Sequence, residues 1–298
     1  MNAESVETLR HKIRSIDSVP SMPVIIRPLL EMLQRPLEKL NVADVVNLIS
    51  CDKSLAVQCV RMANSPLFPR LNEVENVRSA VVALGLQRVQ SIVLGCSLNQ
   101  IVPADKWVLE MSIFWRHSLG CALVSRKIAT LIGYADPEKA YLAGLIHDVG
   151  ILVNSMVCHE KFRRCLQLAS SEKITLVEAE EKCLGFSHVL TGKILAEQWN
   201  LPQNLSRVIE YHHAVSDTET EALVCLVRLS DLICRVRDLG YGYYENIAVD
   251  LVNEPAWTAL EAAYSGLKDM DGARLLLDVE ASMDAIIKAV DDVFVTKN

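Results

Sequence analysis

Apolar residues recur along the chain at intervals of three and four positions, and no segment shows a convincing β-strand alternation. Asn41 can cap a helix that carries Asp44 in its first turn, where the positive helix end favours negative charge. A second apolar stripe ends at Leu84 before Gly85, and a further amphipathic stretch covers residues 87–98. The first third of the chain is therefore predicted to be helical.

The rest of the chain carries longer segments with the same helical spacing. They predict helices near residues 108–132, 136–157, 187–199, 203–213, 219–238, 255–267 and 277–294. The proline-containing stretch from Ile101 to Asp105 separates the two regions and is the predicted junction between them. Together these patterns predict an all-α protein.

Composition and charge narrow the classes of function. Of the 298 residues, 51% are hydrophobic but only 5% are aromatic, which favours helices packed on helices. The net charge is −7, and the basic residues are interleaved with acidic ones rather than gathered into a run that would bind nucleic acid. Nucleic acid is therefore not an expected partner.

Cysteine usage and hydropathy bear on the compartment. The nine cysteines are scattered, odd in number and without a CxxC pair, as expected for small buried side chains in a reducing compartment. The segment from Met1 to Asp17 is charged and lacks an apolar signal-peptide stretch. The most apolar long window, 141–158, contains His147 and Asp148, which would be costly in a membrane span. We predict a cytoplasmic protein without a membrane partner.

Several polar residues stand on the apolar faces of predicted helices, where each needs a partner or a metal ion. One inward histidine is unremarkable, whereas several on different helices indicate that they converge on one site. Imidazole and carboxylate groups together suit Fe, Mn, Zn or a similar divalent ion. The candidate ligands are His117, His147, Asp148, His188, His212, His213 and Asp231.

The order of His117, the His147–Asp148 pair and Asp231 resembles the pattern of HD-superfamily phosphohydrolases. The surrounding residues are more similar to the HDOD branch of that superfamily, over nearly the whole chain. Each similar stretch is weak by itself, but their joint order is a strong signal. The stretches are Val19–Pro23, Ala63–Phe68, Ala83–Leu86, Phe114–Ser118, Ala143–Gly150, Leu184–His188 and Tyr211–His213.

The resemblance implies an all-α, HD-domain-like helical bundle with an additional N-terminal helical subdomain. Residues 1–105 would form the N-terminal helical half, residues 106–240 the HD-like core, and residues 241–298 the C-terminal helices packed on that core. HDOD proteins generally look like regulatory output modules in bacterial two-component and cyclic-dinucleotide signalling. The resemblance therefore implies a signalling regulator that acts through a protein partner or a small signal, with a homodimer left open.

In the related cyclic-di-GMP phosphodiesterases, equivalent histidines and aspartates hold two metal ions. The resemblance therefore implies one or two divalent ions here, with Asp148 as the bridging ligand. A carboxylate between two cations offsets their mutual repulsion, and a metal-bound water acquires a pKa near ~7. The implied ligands of one ion are His117, His147 and Asp231, and those of the other are His188, His212 and His213.

An active phosphohydrolase that acts on a cyclic dinucleotide or a nucleotide is the alternative function, with Asp148 as its catalytic residue. Two departures from the phosphodiesterases argue against it. The lysine that follows their His-Asp pair is replaced here by Ile151, and their Gly-Tyr-Pro signature is absent because Gly240–Gly242 lacks the proline. The sequence therefore favours a regulator over an enzyme.

Structural roles remain open beside the functional ones. The His147–Asp148 pair can be a simple hydrogen-bonded pair near a helix end. Asp231 has Arg228 three residues before it and Arg235 four residues after it, so an ion pair within the helix is an alternative to metal binding. Cys121, one helical turn after the first candidate histidine, is favoured as a core residue rather than a nucleophile.

Overall fold

In the computed structural model, every regular element among the described residues is an α-helix, which confirms the predicted all-α class. The predicted stretch 87–98 and the predicted junction at 101–105 lie outside the continuous ranges that are described. Apart from isolated positions, the structure describes residues 41–64, 73–86, 108–215, 221–237, 239–241, 253–264 and 272–294.

We number the helices in chain order. Those that precede residue 150 are α1 Val42–Ser50, α2 Lys53–Ala63, α3 Val77–Leu84, α4 Met111–Ile132, α5 Pro137–Ile146 and α6 Val149–Val157. Those that follow are α7 His159–Glu172, α8 Leu176–Leu184, α9 His188–Gln198, α10 Gln203–Tyr211, α11 Ala222–Val236, α12 Pro255–Ala263 and α13 Gly272–Phe294.

Contacts between Cα atoms divide the chain into two compact units. The first unit contains residues 1–19 and 102–283, and the second contains residues 20–101 and 284–298. Helices α4 to α12 therefore lie in the first unit, and α1 to α3 lie in the second. The boundary between the units falls within α13, after Met283. The division into three segments stated above stays a prediction.

In the second unit, the first helix begins as the sequence predicts. Asn41 caps α1 by accepting a hydrogen bond from the backbone N–H of Ala43 at 2.9 Å, and Asp44 lies in the first turn. Just after α2, the side chain of Asn64 donates to the carbonyl of Val74 at 2.7 Å and accepts from its N–H at 2.9 Å. This double hydrogen bond holds the ends of the connection between α2 and α3 together.

The core of the first unit is built around α4, which packs on α5 and α11. Helix α6 packs on α9, and α11 also packs on α12. In α5 the seven residues from Ala140 to Ile146 are all buried, and in α11 the residues from Leu223 to Cys234 are buried except Arg228. Because these stretches are almost wholly covered by other parts of the unit, they carry apolar residues on most of their faces.

The most apolar part of the chain lies inside this core. Among the described residues, Pro137–Val157 is long and apolar enough to cross a membrane, but 89% of its most apolar window is buried within the protein. Such burial is typical of the core helix of a soluble protein. It agrees with the core role that the sequence predicts for this stretch.

The prediction of one helix over 136–157 is wrong in detail, because the chain turns between α5 and α6. The backbone of Asp148 leaves the helical region, with φ −99° and ψ 18°. Consecutive residues on one helix do not face each other. The turn instead lets Nε2 of His147 approach Oδ2 of Asp148 to 3.0 Å. The interruption therefore places both side chains at the same site.

Helices α7 and α8 are absent from the sequence-based prediction. Helix α7 is largely polar, and its buried stripe consists only of Phe162, Cys165 and Ala169. Helix α8 begins with a capping box in which Thr175 and Glu178 satisfy each other's backbone N–H groups. That Thr-x-x-Glu pattern was the local signal from which α8 could have been predicted.

Gly150 allows α6 and α9 to approach closely. A Cβ atom added at Gly150 would overlap the carbonyl oxygen of His188 and lie 2.7 Å from the backbone nitrogen of Gly192. Both atoms belong to the backbone of α9, so a change in side-chain rotamer cannot relieve the overlap. Gly150 therefore sets the distance between the turn that carries Asp148 and the start of α9.

We expect Gly150→Ala to lower the free energy of unfolding by about 3 kcal/mol, the upper end of the usual cost of overpacking. Urea unfolding followed by circular dichroism measures this loss. Gly185→Ala is the control, because its added Cβ meets open space and only its φ of 78° disfavours alanine. The control should lose about 1 kcal/mol, and equal losses for the two variants would contradict the packing argument.

Candidate metal centre

The structure brings all seven predicted ligands together within the first unit. Six of them are buried, with at most 2% of each residue exposed, and only His213 is partly exposed. Their role as ligands stays a prediction, but their convergence is a feature of the fold. The side chains are His117 on α4, His147 and Asp148 between α5 and α6, His188 at the start of α9, His212 and His213 after α10, and Asp231 on α11.

The carboxylate of Asp148 lies at the centre of this group. Its Oδ2 is 3.6 Å from Nε2 of His117 and 3.0 Å from Nε2 of His147. Its Oδ1 is 3.3 Å from Nε2 of His188 and 3.1 Å from Nε2 of His212. Each carboxylate oxygen therefore faces a different pair of imidazoles, which is the geometry of a bridging ligand.

In three of these imidazoles, the outer nitrogen is held by a backbone carbonyl. Nδ1 of His117 donates to the carbonyl of Leu239 at 2.7 Å, and Nδ1 of His147 donates to the carbonyl of Gly144 at 2.8 Å. Nδ1 of His212 lies 3.1 Å from the carbonyl of Val208 in the preceding helix. In the neutral imidazoles, the lone pair on Nε2 then points at the centre. Outer acceptors of this kind orient histidine ligands in metal sites.

His188 is oriented by a carboxylate that sequence reasoning missed. Glu180, on α8, is fully buried. Its Oε2 accepts hydrogen bonds from the backbone N–H of His188 at 2.8 Å and from Nδ1 at 2.7 Å. Its Oε1 accepts from Nδ2 of Asn154 at 2.8 Å. In the sequence, Glu180 stands among other acidic residues and is indistinguishable from a solvent-exposed side chain. The Thr-x-x-Glu cap before it was the one local signal of a helix here.

The donor atoms form two groups that could each hold a metal ion, with the atoms of each group within 4.8 Å of one another. We call them the first group and the second group. The first group contains His117, Cys121, His147 and Asp231. The second group contains Asp148, His188, His212 and His213.

The donor chemistry fits a divalent cation. Lone pairs of neutral imidazoles face carboxylate oxygens at hydrogen-bonding distance, and such pairs need a shared proton or a cation between them. Oδ2 of Asp231 is buried and has no hydrogen-bond partner in the described part of the chain, and the 3.0 Å contact of Nε2 of His147 with Asp148 lacks the geometry of a hydrogen bond. Buried polar atoms are rarely left in that state. The cluster can therefore hold a divalent metal ion.

The charged groups of the cluster shift one another's pKa values. Although burial opposes the charged form of Asp148, His147 beside it and the hydrogen-bonding imidazoles hold the pKa of Asp148 well below its usual range. Burial likewise opposes protonation of His188, yet Glu180 and Asp148 raise the pKa of His188 to about 10. Burial raises the pKa of the Cys121 thiol well above its usual value.

Two further side chains contact the carboxylates. Tyr241 donates its hydroxyl hydrogen to Oδ2 of Asp148 at 2.6 Å. Nε of Arg235 donates to Oδ1 of Asp231 at 2.7 Å. The ion-pair alternative for Asp231 is therefore realised with Arg235, while Arg228 pairs with a glutamate of the segment before α12. The ion pair with Arg235 does not remove Asp231 from the centre, because the same Oδ1 lies 3.3 Å from Nε2 of His117.

A helical bundle that gathers a His-Asp pair, further histidines and a distant aspartate at one buried centre defines a protein of the HD type. Residues 19–215 match the HDOD domain. The chain therefore belongs to the HDOD family, which confirms the resemblance found in the sequence.

Solved structures agree with this assignment. An HDOD domain protein of unknown function from Geobacter sulfurreducens has 30% identity and a TM-score of 0.84, with 99% of this chain and 100% of that chain covered. A provisionally named signal transduction protein from Marinobacter aquaeolei VT8 has 20% identity and a TM-score of 0.75, with coverages of 98% and 66%. A provisionally named phosphohydrolase from Shewanella amazonensis SB2B has 21% identity and a TM-score of 0.70, with coverages of 95% and 97%. The last two establish the shared fold.

One curated relative also matches. It is an uncharacterized protein of Treponema pallidum (strain Nichols), 25% identical over 243 residues. The match covers 80% of this chain but 46% of that protein, so the chain spans about half the length of the relative.

Proposed function

We propose that the chain is a regulatory output module of bacterial signal transduction that holds a divalent metal ion and acts through a protein partner or a small signal. Membership of the HDOD family and the likeness to a provisionally named signal transduction protein support this proposal. We also propose that the protein is cytoplasmic. The proposal is compatible with either a monomer or a homodimer.

The observation that carries the proposal is the closure of the centre. Catalytic metal sites keep a position open for water or substrate, whereas structural sites are closed by protein ligands. Here Asp148 and Asp231 are buried and already accept hydrogen bonds from Tyr241 and Arg235. Imidazoles occupy the remaining directions around Asp148. Such a centre suits a structural or sensing metal better than one that exchanges substrates.

The residues that would hold the metal are the two groups already defined, with Asp148 between them. A bound divalent ion would supply a fixed positive charge among buried carboxylates and, in an enzyme, would also activate water. The imidazoles would turn Nε2 toward it while their Nδ1 hydrogens stay on outer acceptors. The site residues would thus tie α4, α9, α10 and α11 to the turn at Asp148, so metal occupancy could be sensed by the whole unit.

The position after the His-Asp pair that could bind a phosphate carries no cationic side chain. Ile151 stands where the related phosphodiesterases carry a lysine, and its side chain is fully buried in the core. An apolar, buried residue at this position supplies neither charge nor a hydrogen bond to a phosphoester. This position supports the regulatory proposal over hydrolysis.

A metal-dependent phosphohydrolase remains the second candidate function, because one observation favours it. Asp148 belongs to the second group, and its Oδ2 also faces His117 and His147 of the first group. Two donor groups on either side of one carboxylate resemble the two-metal arrangement used to displace a phosphoester oxygen. In that case, Asp148 would be the catalytic residue that holds both ions. A likeness of fold cannot decide between the two functions, since one scaffold hosts both.

Metal analysis combined with an activity assay distinguishes the candidates. We expect protein purified anaerobically without chelators to contain stoichiometric Fe, Mn or Zn by plasma mass spectrometry. We also expect it to hydrolyse cyclic di-GMP and a chromogenic nitrophenyl phosphodiester no faster than its Asp148→Asn variant. Metal-dependent hydrolysis that the variant lacks would establish the enzyme instead. A well-folded wild type without metal would contradict the metal-binding part of the proposal.

A further inference from the structure

We infer that Cys121 is a ligand of the metal centre, so that the first group is a sulfur-containing site selective for Zn²⁺ or Co²⁺ over Mn²⁺ and Mg²⁺. This inference rests on the metal-binding part of the proposed function and goes beyond the imidazole and carboxylate set predicted from the sequence. It also revises the prediction that Cys121 is an ordinary core residue.

The position of Cys121 on α4 points its sulfur at the centre. It lies four residues after His117, so the two side chains share one face of the helix. Its Sγ is 3.5 Å from Nε2 of His117 and 3.9 Å from Nδ1. The closer nitrogen is the one that faces Asp148 and Asp231, since Nδ1 is bound to the carbonyl of Leu239. Sγ of Cys121 and Nε2 of His117 can therefore bind the same metal ion.

Two distances within the first group match the edges of a tetrahedral site. Zinc binds sulfur at about 2.3 Å and imidazole nitrogen at about 2.0–2.1 Å, so tetrahedral ligands of these two kinds lie about 3.6 Å apart. The observed distance from Sγ of Cys121 to Nε2 of His117 is 3.5 Å. A nitrogen and an oxygen ligand would lie about 3.4 Å apart, and Nε2 of His117 is 3.3 Å from Oδ1 of Asp231.

Two atoms of the same group independently call for a ligand. Nε2 of His147 and Oδ2 of Asp231 are fully buried, and neither makes a hydrogen bond of good geometry among the described residues. Nε2 of His147 faces an oxygen of Asp148 at 3.0 Å, where a cation can lie between nitrogen and oxygen ligands. An unsatisfied imidazole nitrogen and an unsatisfied carboxylate oxygen would be costly in a dry core. A cation bound by Nε2 of His147, the carboxylate of Asp231 and the sulfur of Cys121 would satisfy both buried atoms.

A sulfur ligand has a consequence for metal choice. Thiolate is a soft ligand that suits Zn²⁺, whereas Mg²⁺ and Mn²⁺ prefer oxygen-rich sites. The second group, which lacks sulfur, would be the less selective of the two. The centre would therefore discriminate between metals through its first group, which is a useful property in a regulator that responds to metal occupancy.

The competing explanation is that Cys121 simply packs in the core beside Cys234, whose thiol interacts with it. The chain offers a control for that explanation, because Cys59 is equally buried in α2 and belongs to neither donor group. A cysteine-to-serine change at Cys59 removes a buried thiol without touching the centre. Comparison of the three cysteines separates metal ligation from packing.

The experiment uses the full chain, stripped of metal and titrated with Co²⁺ anaerobically in the presence of a non-thiol reductant. We expect a sulfur-to-cobalt charge-transfer band in the near ultraviolet for the wild type, Cys59→Ser and Cys234→Ser, and no such band for Cys121→Ser. Competition titrations should show Zn²⁺ affinity falling by about 100-fold or more in Cys121→Ser, because even outer-shell partners contribute 10–100-fold. Mn²⁺ affinity should change far less.

The outcomes keep the two proposals apart. Wild-type protein that binds Co²⁺ without the charge-transfer band overturns the role of Cys121 and leaves the metal-binding proposal standing. A band that disappears in Cys234→Ser but persists in Cys121→Ser assigns the ligand to the other cysteine and also overturns the inference. Protein that binds no divalent ion overturns both. The wild-type spectrum decides the first question even where a variant fails to fold.

Discussion

Replacing Asp148 by asparagine is expected to abolish metal binding at both donor groups at once. Oδ2 of Asp148 faces the imidazoles of His117 and His147, and Oδ1 faces those of His188 and His212. The amide carries no charge, and its nitrogen presents hydrogens to lone pairs that previously faced an oxygen. Metal affinity should fall by more than about 100-fold, beyond the upper range for outer-shell partners.

Two measurements check this prediction. Isothermal titration gives the number of ions bound and their affinities, and thermal unfolding gives the stabilisation by metal. A metal present at 100 times its dissociation constant should stabilise the wild type by about 2.7 kcal/mol, and the variant should gain almost nothing. Asp284→Asn, the same change at an exposed position of α13, is the control and should bind like the wild type. If Asp148→Asn still binds one ion with wild-type affinity, Asp148 serves only one group.

Much of the fold follows from helical periodicity in the sequence. The helices of the first unit that line the centre carry clear apolar stripes, and their predicted ranges overlap the observed ones closely, as at Gln203–Tyr211 and Ala222–Val236. Periodicity fails where two helices are joined without a change in hydropathy. The residues on both sides of the turn at His147 and Asp148 are buried, so nothing in the apolar pattern marks the break.

The candidate site could be predicted because it violates the ordinary distribution of polar residues. His117 and Asp231 stand on helix faces that are otherwise apolar, and an inward polar group needs a partner. The same reasoning could not find Tyr241, which reaches Asp148 from a segment that follows α11 in the chain. Nor could it find Glu180, since neighbouring glutamates hide it. Contacts between distant segments depend on packing that periodicity does not encode.

Tyr241 also changes how the departure from the Gly-Tyr-Pro signature is understood. The sequence comparison treats Gly240–Gly242 as a recognition loop that lacks its proline. In the structure, the tyrosine hydroxyl lies 2.6 Å from Oδ2 of Asp148, and its ring stacks against Phe114. The segment thus contributes a covering side chain to the centre. This contact strengthens the view that the centre is closed by the protein rather than open to a substrate.

Replacing Glu180 by alanine is expected to cause the largest loss of stability that any single change near the centre would produce. The variant leaves the backbone N–H and Nδ1 of His188 and Nδ2 of Asn154 without their acceptor in a dry core. It also removes a buried carboxylate that pairs with an imidazole of raised pKa. Breaking a buried pair by removing one partner costs about 3–5 kcal/mol, so the free energy of unfolding should fall by that amount.

The effect on metal binding should be confined to the second group, because His188 is the only one of the seven candidate ligands for which the described residues show a hydrogen bond to Glu180. Loss of an outer-shell partner costs about 10–100-fold in metal affinity, so the ion at the second group should weaken while the ion at the first group keeps its affinity. Glu181→Ala is the matched control, since this neighbour on α8 is exposed and should change neither stability nor affinity. Glu180→Gln keeps an acceptor for His188 and should lose less stability than Glu180→Ala. Denaturant unfolding and metal titration measure both effects, and an equal loss of affinity at the two groups would mean that Glu180 supports the whole unit rather than one ligand.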